Sequence, residues 1–331
     1  MLKDRLKTSA VLIAIVAALL HMDAHHSYPG AEGLWLLPLL LFFSLGTASD
    51  ISQLLAASGR PVRRGTALVA TAIVTLSACV PMLWSMSESG YPMACPVGRL
   101  GWIVIAAIVA MFVILIGEMK HYGISVDDTE PSGDKENANS GTIERTCAGV
   151  FVSLYVGLPM ALLVALRSMN VSSHSANWGL AALLTMIAVT KSTDAGAYFT
   201  GKALGKHKLI PRLSPGKTRE GALGGIVTAT IVAFVCLQWL FPAIAGDLNL
   251  YRPPASIGFL TSPFWGAIVL GPILAIAGMV GDLAESLVKR DSSAKDSGNW
   301  LPGLGGVWDV TDSLIAAVMP AFLCFASGVG G

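Results

Sequence analysis

Two pairs of carboxylates and the cations between them are the residues of this chain most suited to chemistry. Asp282 and Glu285 lie three residues apart, one helical turn, and Asp309 and Asp312 repeat that spacing. Such pairs can gather around a divalent cation. Magnesium takes carboxylate oxygens together with substrate phosphates and keeps several waters, so it needs no complete protein cage. Between the pairs stand Ser286, Lys289, Arg290, Lys295 and Asp296, and then the turn LPGLGG with Gly303, Gly305 and Gly306. Lysine and arginine would meet phosphate oxygens. Glycines let backbone N–H groups approach an anion. Carboxylates for a metal, cations for phosphates and a glycine turn between them suit phosphoryl or nucleotidyl transfer. The competing reading, a set of salt bridges at a helix cap, contributes only about 0–1 kcal/mol per exposed pair.

A second polar segment, KSTDAGAYFTGKALGKHKLIPRLSPGKTREG, residues 191–221, carries seven basic residues together with Ser214, Lys217 and Thr218. It suits polyanions at a membrane surface. Its GKT is not a Walker A motif, because Pro211 occupies the place of the first glycine and no strand pattern precedes it. Asp194 lies three residues after Lys191, so an ion pair between them competes with a catalytic role.

These segments must be positioned by apolar elements. The chain has 331 residues, 53% of them hydrophobic and 13% charged, against roughly 25% charged in soluble domains. Nine charge-free runs approach the length needed to cross a bilayer, at residues 8–22, 33–49, 65–87, 100–117, 146–166, 168–190, 221–246, 253–281 and 313–331. The first is short and follows Lys3, Arg5 and Lys7. It reads as an uncleaved span, since HMDAHHSYPG lacks a small-x-small cleavage site. With the N-terminus inside, nineteen lysines and arginines fall in inner segments and only Arg99, Arg167 and Arg252 outside. The expectation is an all-α polytopic integral membrane protein of about nine transmembrane helices, with the N-terminus cytoplasmic and the C-terminus outside. Residues 1–331 form a single membrane domain, in which 1–145 supply N-terminal spans and a polar cytoplasmic loop. Residues 146–331 supply the catalytic core, with motif loops at 191–221 and 282–312.

Other features point to bland roles. The polar stretch 126–145 reads as a solvated loop without the spacing of a calcium loop. His21, His25 and His26 read as surface residues, and five scattered cysteines carry no metal-ligand pattern. A net charge of +1, distributed by topology, makes no case for nucleic acid. GALGG at 221–225 permits close helix packing, and the same pattern could serve a homodimer interface.

At this point the sequence resembles the phosphatidate cytidylyltransferase, or CDP-diacylglycerol synthase, family. The signature S-x-x-K-R-x4-K-D, then P-G-H-G-G, then D-R-x-D is met by Ser286, Lys289, Arg290, Lys295, Asp296, Pro302, Gly303, Gly305, Gly306, Asp309 and Asp312. Asp194, Gly196, Ala197, Tyr198, Ser214, Pro215, Lys217, Thr218, Glu220 and Gly221 resemble its upstream region. The resemblance covers roughly 190–320. It implies that CTP and phosphatidate give CDP-diacylglycerol and pyrophosphate in phospholipid biosynthesis, at the cytoplasmic face of the inner membrane. It further implies Mg2+, which a second metal ion could accompany. Carried over, Asp282 and Asp309, with Asp312, would hold metal. Ser214, Lys217, Thr218, Ser286, Lys289, Gly305 and Gly306 would hold the nucleotide, and Lys289, Arg290, Lys295, Asp296 and Asp312 would be catalytic. The acyl chains of phosphatidate are expected to stay in lipid while its headgroup reaches the loops. Leu304 and Val310 replace the signature's histidine and arginine. Alternatives are a CTP-dependent transferase or kinase acting on another membrane lipid, and a polytopic transporter, although no repeat or midplane charge supports the latter.

Overall fold

The computed structural model describes residues 2–28, 30–87, 90–92, 94–122, 141–169, 177–246 and 257–331, with side chains from residue 7 onward at the N-terminus. Most of the polar stretch 126–145 lies outside the described residues. The helices are α1 (Leu2–His25), α2 (Leu37–Ala57), α3 (Arg64–Ser77), α4 (Val80–Ser85), α5 (Gly98–Lys120), α6 (Thr142–Arg167) and α7 (Trp178–Leu204). After the strands β1 (Lys208–Ile210) and β2 (Ser214–Thr218) come α8 (Arg219–Val235), α9 (Phe241–Ala245), α10 (Pro263–Asp291) and α11 (Trp308–Ala326). A 3-10 turn, Leu34–Leu36, leads into α2, and a π-helical turn, Cys236–Leu240, joins α8 to α9.

Among the described residues, seven helical segments are long and apolar enough to cross a membrane: Lys7–His25, Leu34–Ala57, Gly98–Lys120, Thr142–Arg167, Arg219–Ala245, Pro263–Asp291 and Trp308–Ala326. The chain is thus an integral membrane protein by the length and composition of its helices. Two of the nine expected runs fall outside this set. The run 65–87 breaks into α3 and α4, because Pro81 offers no N–H to the carbonyl four residues before it and its ring crowds that carbonyl. The run 168–190 becomes α7, which starts at Trp178 and continues through Lys191, Asp194 and Lys202, so counting to the first charge cut the helix short. The all-α expectation holds, with one short addition. β1 and β2 form a small antiparallel hairpin, pairing Lys208 with Thr218 and Ile210 with Ser214.

Close helix contact is built on small residues, since lipid offers no hydrophobic drive for helices to associate and backbone approach must supply the packing. GALGG faces α7: a Cβ on Gly221 would lie 2.8 Å from the Ala197 carbonyl oxygen, and one on Gly225 would lie 3.0 Å from that of Thr193. A Cβ on Gly224 would collide with Thr200. The pattern is therefore occupied within the chain. Buried hydroxyl pairs tie other helices, Ser44 Oγ to Thr75 Oγ1 and Thr47 Oγ1 to Thr311 Oγ1, each at 2.8 Å.

The polar contacts divide between the two ends of the bundle. At one end Glu118 pairs with Arg63 at 2.8 Å and with Arg145 at 3.0 Å, and Arg60 pairs with Asp291. Thr8 Oγ1 donates to the Pro302 carbonyl at the same end. At the other end, Asp23 on α1 and Arg167 on α6 form a buried pair at 2.6 Å. Gly224→Leu should destabilise the protein by about 1–3 kcal/mol through overpacking against α7. Gly65→Ala, where an added Cβ meets nothing within 4 Å, should leave it unchanged. Thermal unfolding in detergent checks both.

Candidate active site

The carboxylates of α10 and α11 meet where these helices pack against each other and against α7. Gly281 allows the approach, because a Cβ there would strike the Asp312 backbone. Asp282, Glu285 and Asp312 offer oxygens that all lie within 4.8 Å of one another. Glu285 is 2% exposed and Asp312 7%. Carboxylates packed this closely and this deeply require cations.

Three lysines from three elements supply them. Lys217 of β2 lies 2.6 Å from Asp282. Lys289, one turn beyond Glu285 on α10, reaches Glu285 Oε1 at 3.1 Å and donates to Asp309 Oδ1 at 2.8 Å. Lys191 of α7 donates to the Val310 carbonyl at 2.9 Å and to Ser313 Oγ at 2.8 Å, and sits 4.0 Å from Asp312 Oδ1.

Asp309 adjoins the cluster through Lys289, which it shares with Glu285, and its other oxygen organises the turn before α11. Its Oδ2 accepts from the N–H groups of Gly306 (2.7 Å) and Ser297 (3.0 Å) and from Ser297 Oγ (3.0 Å). Leu301 and Gly305 close the LPGLGG turn by exchanging backbone hydrogen bonds at 3.0 Å, and Gly303 and Gly305 take φ values of 82° and 101°. Those angles are the left-handed region that glycine enters without steric cost. Across the turn, fully buried Asp50 of α2 accepts from the N–H groups of Val307 (2.6 Å) and Trp308 (3.1 Å) through Oδ2. A carboxylate at a helix N-terminus satisfies orphan donors and meets the positive end of the helix dipole.

The expected site residues therefore separate. Lys217, Asp282, Lys289, Asp309, Asp312 and Gly306 come together. Glu285 completes the carboxylate cluster where the signature pointed to Asp309. Thr218 caps α8, its Oγ1 accepting from Gly221 N–H at 3.1 Å. Ser214 lies at the hairpin turn, paired with Ile210, and Ser286 is half-buried on α10. Arg290, Lys295 and Asp296 are exposed beyond the cluster, on the far end of α10 and the turn after it. Asp194 lines a cavity of about 440 Å3 with Tyr198, Lys202, Lys217, Thr218 and Asp282, which opens directly onto the carboxylates.

Asp50, Lys191 and Ser297 escaped the sequence reading as parts of this centre. Asp50 is visible as the charge that ends the second apolar run, but its partners lie more than 240 residues away. Lys191 counted only as a topology charge or a partner for Asp194.

A divalent cation fits the donor set. All three clustered ligands are hard carboxylate oxygens, with no sulfur or imidazole among them, as magnesium prefers. Two of the three are buried, and a cation would offset their mutual repulsion.

Fold and centre together describe a membrane-embedded helical bundle with an acidic, lysine-bridged cluster suited to nucleotide phosphates. The chain belongs to the Cytidylyltransferase family, which it matches over residues 3–327. It is 40% identical over 153 residues to a phosphatidate cytidylyltransferase of Haemophilus influenzae, covering 46% of this chain and 48% of that one. It is 36% identical over 187 residues to the Bacillus subtilis protein of the same name, covering 56% and 60%. An uncharacterized protein of Escherichia coli is 37% identical over 147 residues, covering 44% and 43%. The chain spans about half the length of the curated relatives it matches.

Asp50→Ala should lower stability by about 1–3 kcal/mol, because the N–H groups of Val307 and Trp308 lose a buried acceptor; thermal unfolding in detergent measures it. Magnesium should raise the melting temperature, since a ligand at a hundredfold excess over Kd adds about 2.7 kcal/mol to the folded state. Asp282→Asn should abolish most of that rise.

Proposed function

We propose that this protein is a phosphatidate cytidylyltransferase, joining CTP and phosphatidate into CDP-diacylglycerol with release of pyrophosphate. The carrying observation is the gathering of Asp282, Glu285 and Asp312 with Lys217, Lys289 and Lys191 beside a cavity into which Asp194, Lys202 and Lys217 also face. The names of the similar proteins support the same reading.

In this proposal the nucleotide lies in the cavity beside Lys217 and Asp282. A phosphate oxygen of phosphatidate attacks the α-phosphorus, the bond from that phosphorus to the β-phosphate bridging oxygen breaks, and pyrophosphate leaves with the electron pair. The lipid phosphate is already ionised, so no general base is needed. Lys217 and Lys289 stand at the carboxylates and would turn toward the phosphates, offsetting charge that grows on the leaving group. Lys191 would orient the lipid phosphate. Asp282, Glu285 and Asp312 would hold Mg2+, which supplies Lewis-acid neutralisation of phosphate oxygens when bound. Asp309 and Asp50 would fix the turn that begins α11. The lipid would come from the cytoplasmic leaflet, with the motif end of the bundle facing the cytoplasm, as the charge distribution supports.

Purified protein with magnesium should convert labelled CTP to CDP-diacylglycerol only when phosphatidate is present, and Asp312→Asn should lower kcat about a hundredfold or more. Turnover with a different lipid phosphate or a lipid alcohol, and none with phosphatidate, would replace this acceptor.

A further inference from the structure

A second cavity, of about 430 Å3, lies between α1, α2, α6, α7 and α11. Apart from its two ends it is lined by apolar side chains, Leu12, Ala17, Leu20, Leu40 and Leu184 among them. Its size is within the roughly 300–1,000 Å3 of small-molecule sites. Its two ends differ from its walls. At one end are Lys191, Val310 and Thr311, so the cavity opens beside the amine that lies 4.0 Å from Asp312. At the other end are Gly33 and Arg167.

That far end is closed by a knot of polar contacts. Arg167 pairs with Asp23 at 2.6 Å, and Asp23 Oδ1 accepts from Gly33 N–H at 2.8 Å. Gly33 has a φ of 101°, and a Cβ there would lie 2.8 Å from Arg167 Cγ, so only glycine lets the knot close. The wall on the lipid side is α1. Only 6% of its apolar window is buried, and it packs chiefly against the 3-10 turn that follows it. A helix tethered at its ends by Thr8 and Asp23, with its middle spanning a void, leaves that void accessible from the bilayer.

We infer that this cavity seats one acyl chain of the lipid substrate, with the lipid phosphate held by Lys191 at its mouth and the chain running beneath α1 toward Arg167. The inference rests on the proposed lipid-phosphate acceptor. It departs from the expectation that both chains stay in the bilayer. From Leu12 to Leu20 on α1, and from Leu183 to Lys191 on α7, the lining spans eight residues, about 12 Å at 1.5 Å per residue. That is most of one leaflet of a hydrocarbon core roughly 30 Å thick. An apolar, leaflet-deep slot with a cation at its mouth matches an anionic headgroup followed by a single chain. Val310, where the signature has arginine, lines the slot near that mouth without adding a charge.

Two measurements on the full chain in detergent or vesicles test this. Ala17→Trp and Leu20→Trp fill the outer half of the slot from α1, whose loose packing tolerates them. The ratio of kcat/KM for dioleoyl over dihexanoyl phosphatidate should fall at least tenfold in both. In the unmodified protein, phosphatidate carrying a diazirine midway along one chain should label residues of the slot, read by peptide mass spectrometry. An unchanged ratio, or label confined to outward residues such as Val104 and Phe112 of α5, would overturn the slot even if phosphatidate turns over. Slot labelling without phosphatidate turnover would leave the slot standing and remove the proposed acceptor.

Discussion

Burying carboxylates at the end of a helical bundle is the constraint on which the rest of this structure depends. Asp50 is fully buried, and Glu285 and Asp312 nearly so. Each must find positive charge or donor groups, and the partners come from remote parts of the chain. Asp50 takes the N-terminal N–H groups of α11, and Ser297 Oγ lies 3.4 Å away. Gly298 and Gly306 have no room for a side chain beside that carboxylate. The need to satisfy one buried acid thereby ties α2 to the glycine turn and sets where α11 begins.

The same requirement shapes the proposed reactive centre. Three lysines on β2, α7 and α10 stand against four carboxylates on α10 and α11, so opposite charges are interleaved. In a low-dielectric setting such an array is held in place before any substrate arrives, which is the condition for electrostatic stabilisation without reorganisation. Removing one partner would leave an uncompensated charge, which is far more disruptive than losing an exposed ion pair. The hairpin matters for this reason: it is the short non-helical element that turns Lys217 back toward Asp282.

Glycine contributes in two distinct ways. In α8 and α10 it removes side chains so that backbones touch, as Gly225 does against Thr193 and Gly281 against Asp312. In the LPGLGG turn it supplies left-handed angles, at Gly303 and Gly305. α1 stands outside this close packing. Its loose attachment leaves an apolar space open behind it, next to the most polar part of the molecule.

Much of this was legible in residue order. Long charge-free runs marked the apolar helices because the bilayer sets a minimum length that composition exposes directly. The paired spacing of Asp282 with Glu285 and of Asp309 with Asp312 marked the acidic centre, because one helical turn is a local property. Residue order did not reveal that Glu285 faces Asp282 and Asp312 while Asp309 serves the turn, since both pairs share the same spacing and only helix rotation distinguishes them. Nor did it reveal Asp50 or Lys191 as partners, because contacts across more than a hundred residues leave no local pattern. Sequence by itself determined the class of elements and the kinds of charge available. The tertiary structure decided which charges meet, because desolvation makes each buried group depend on whichever neighbour packing brings within reach.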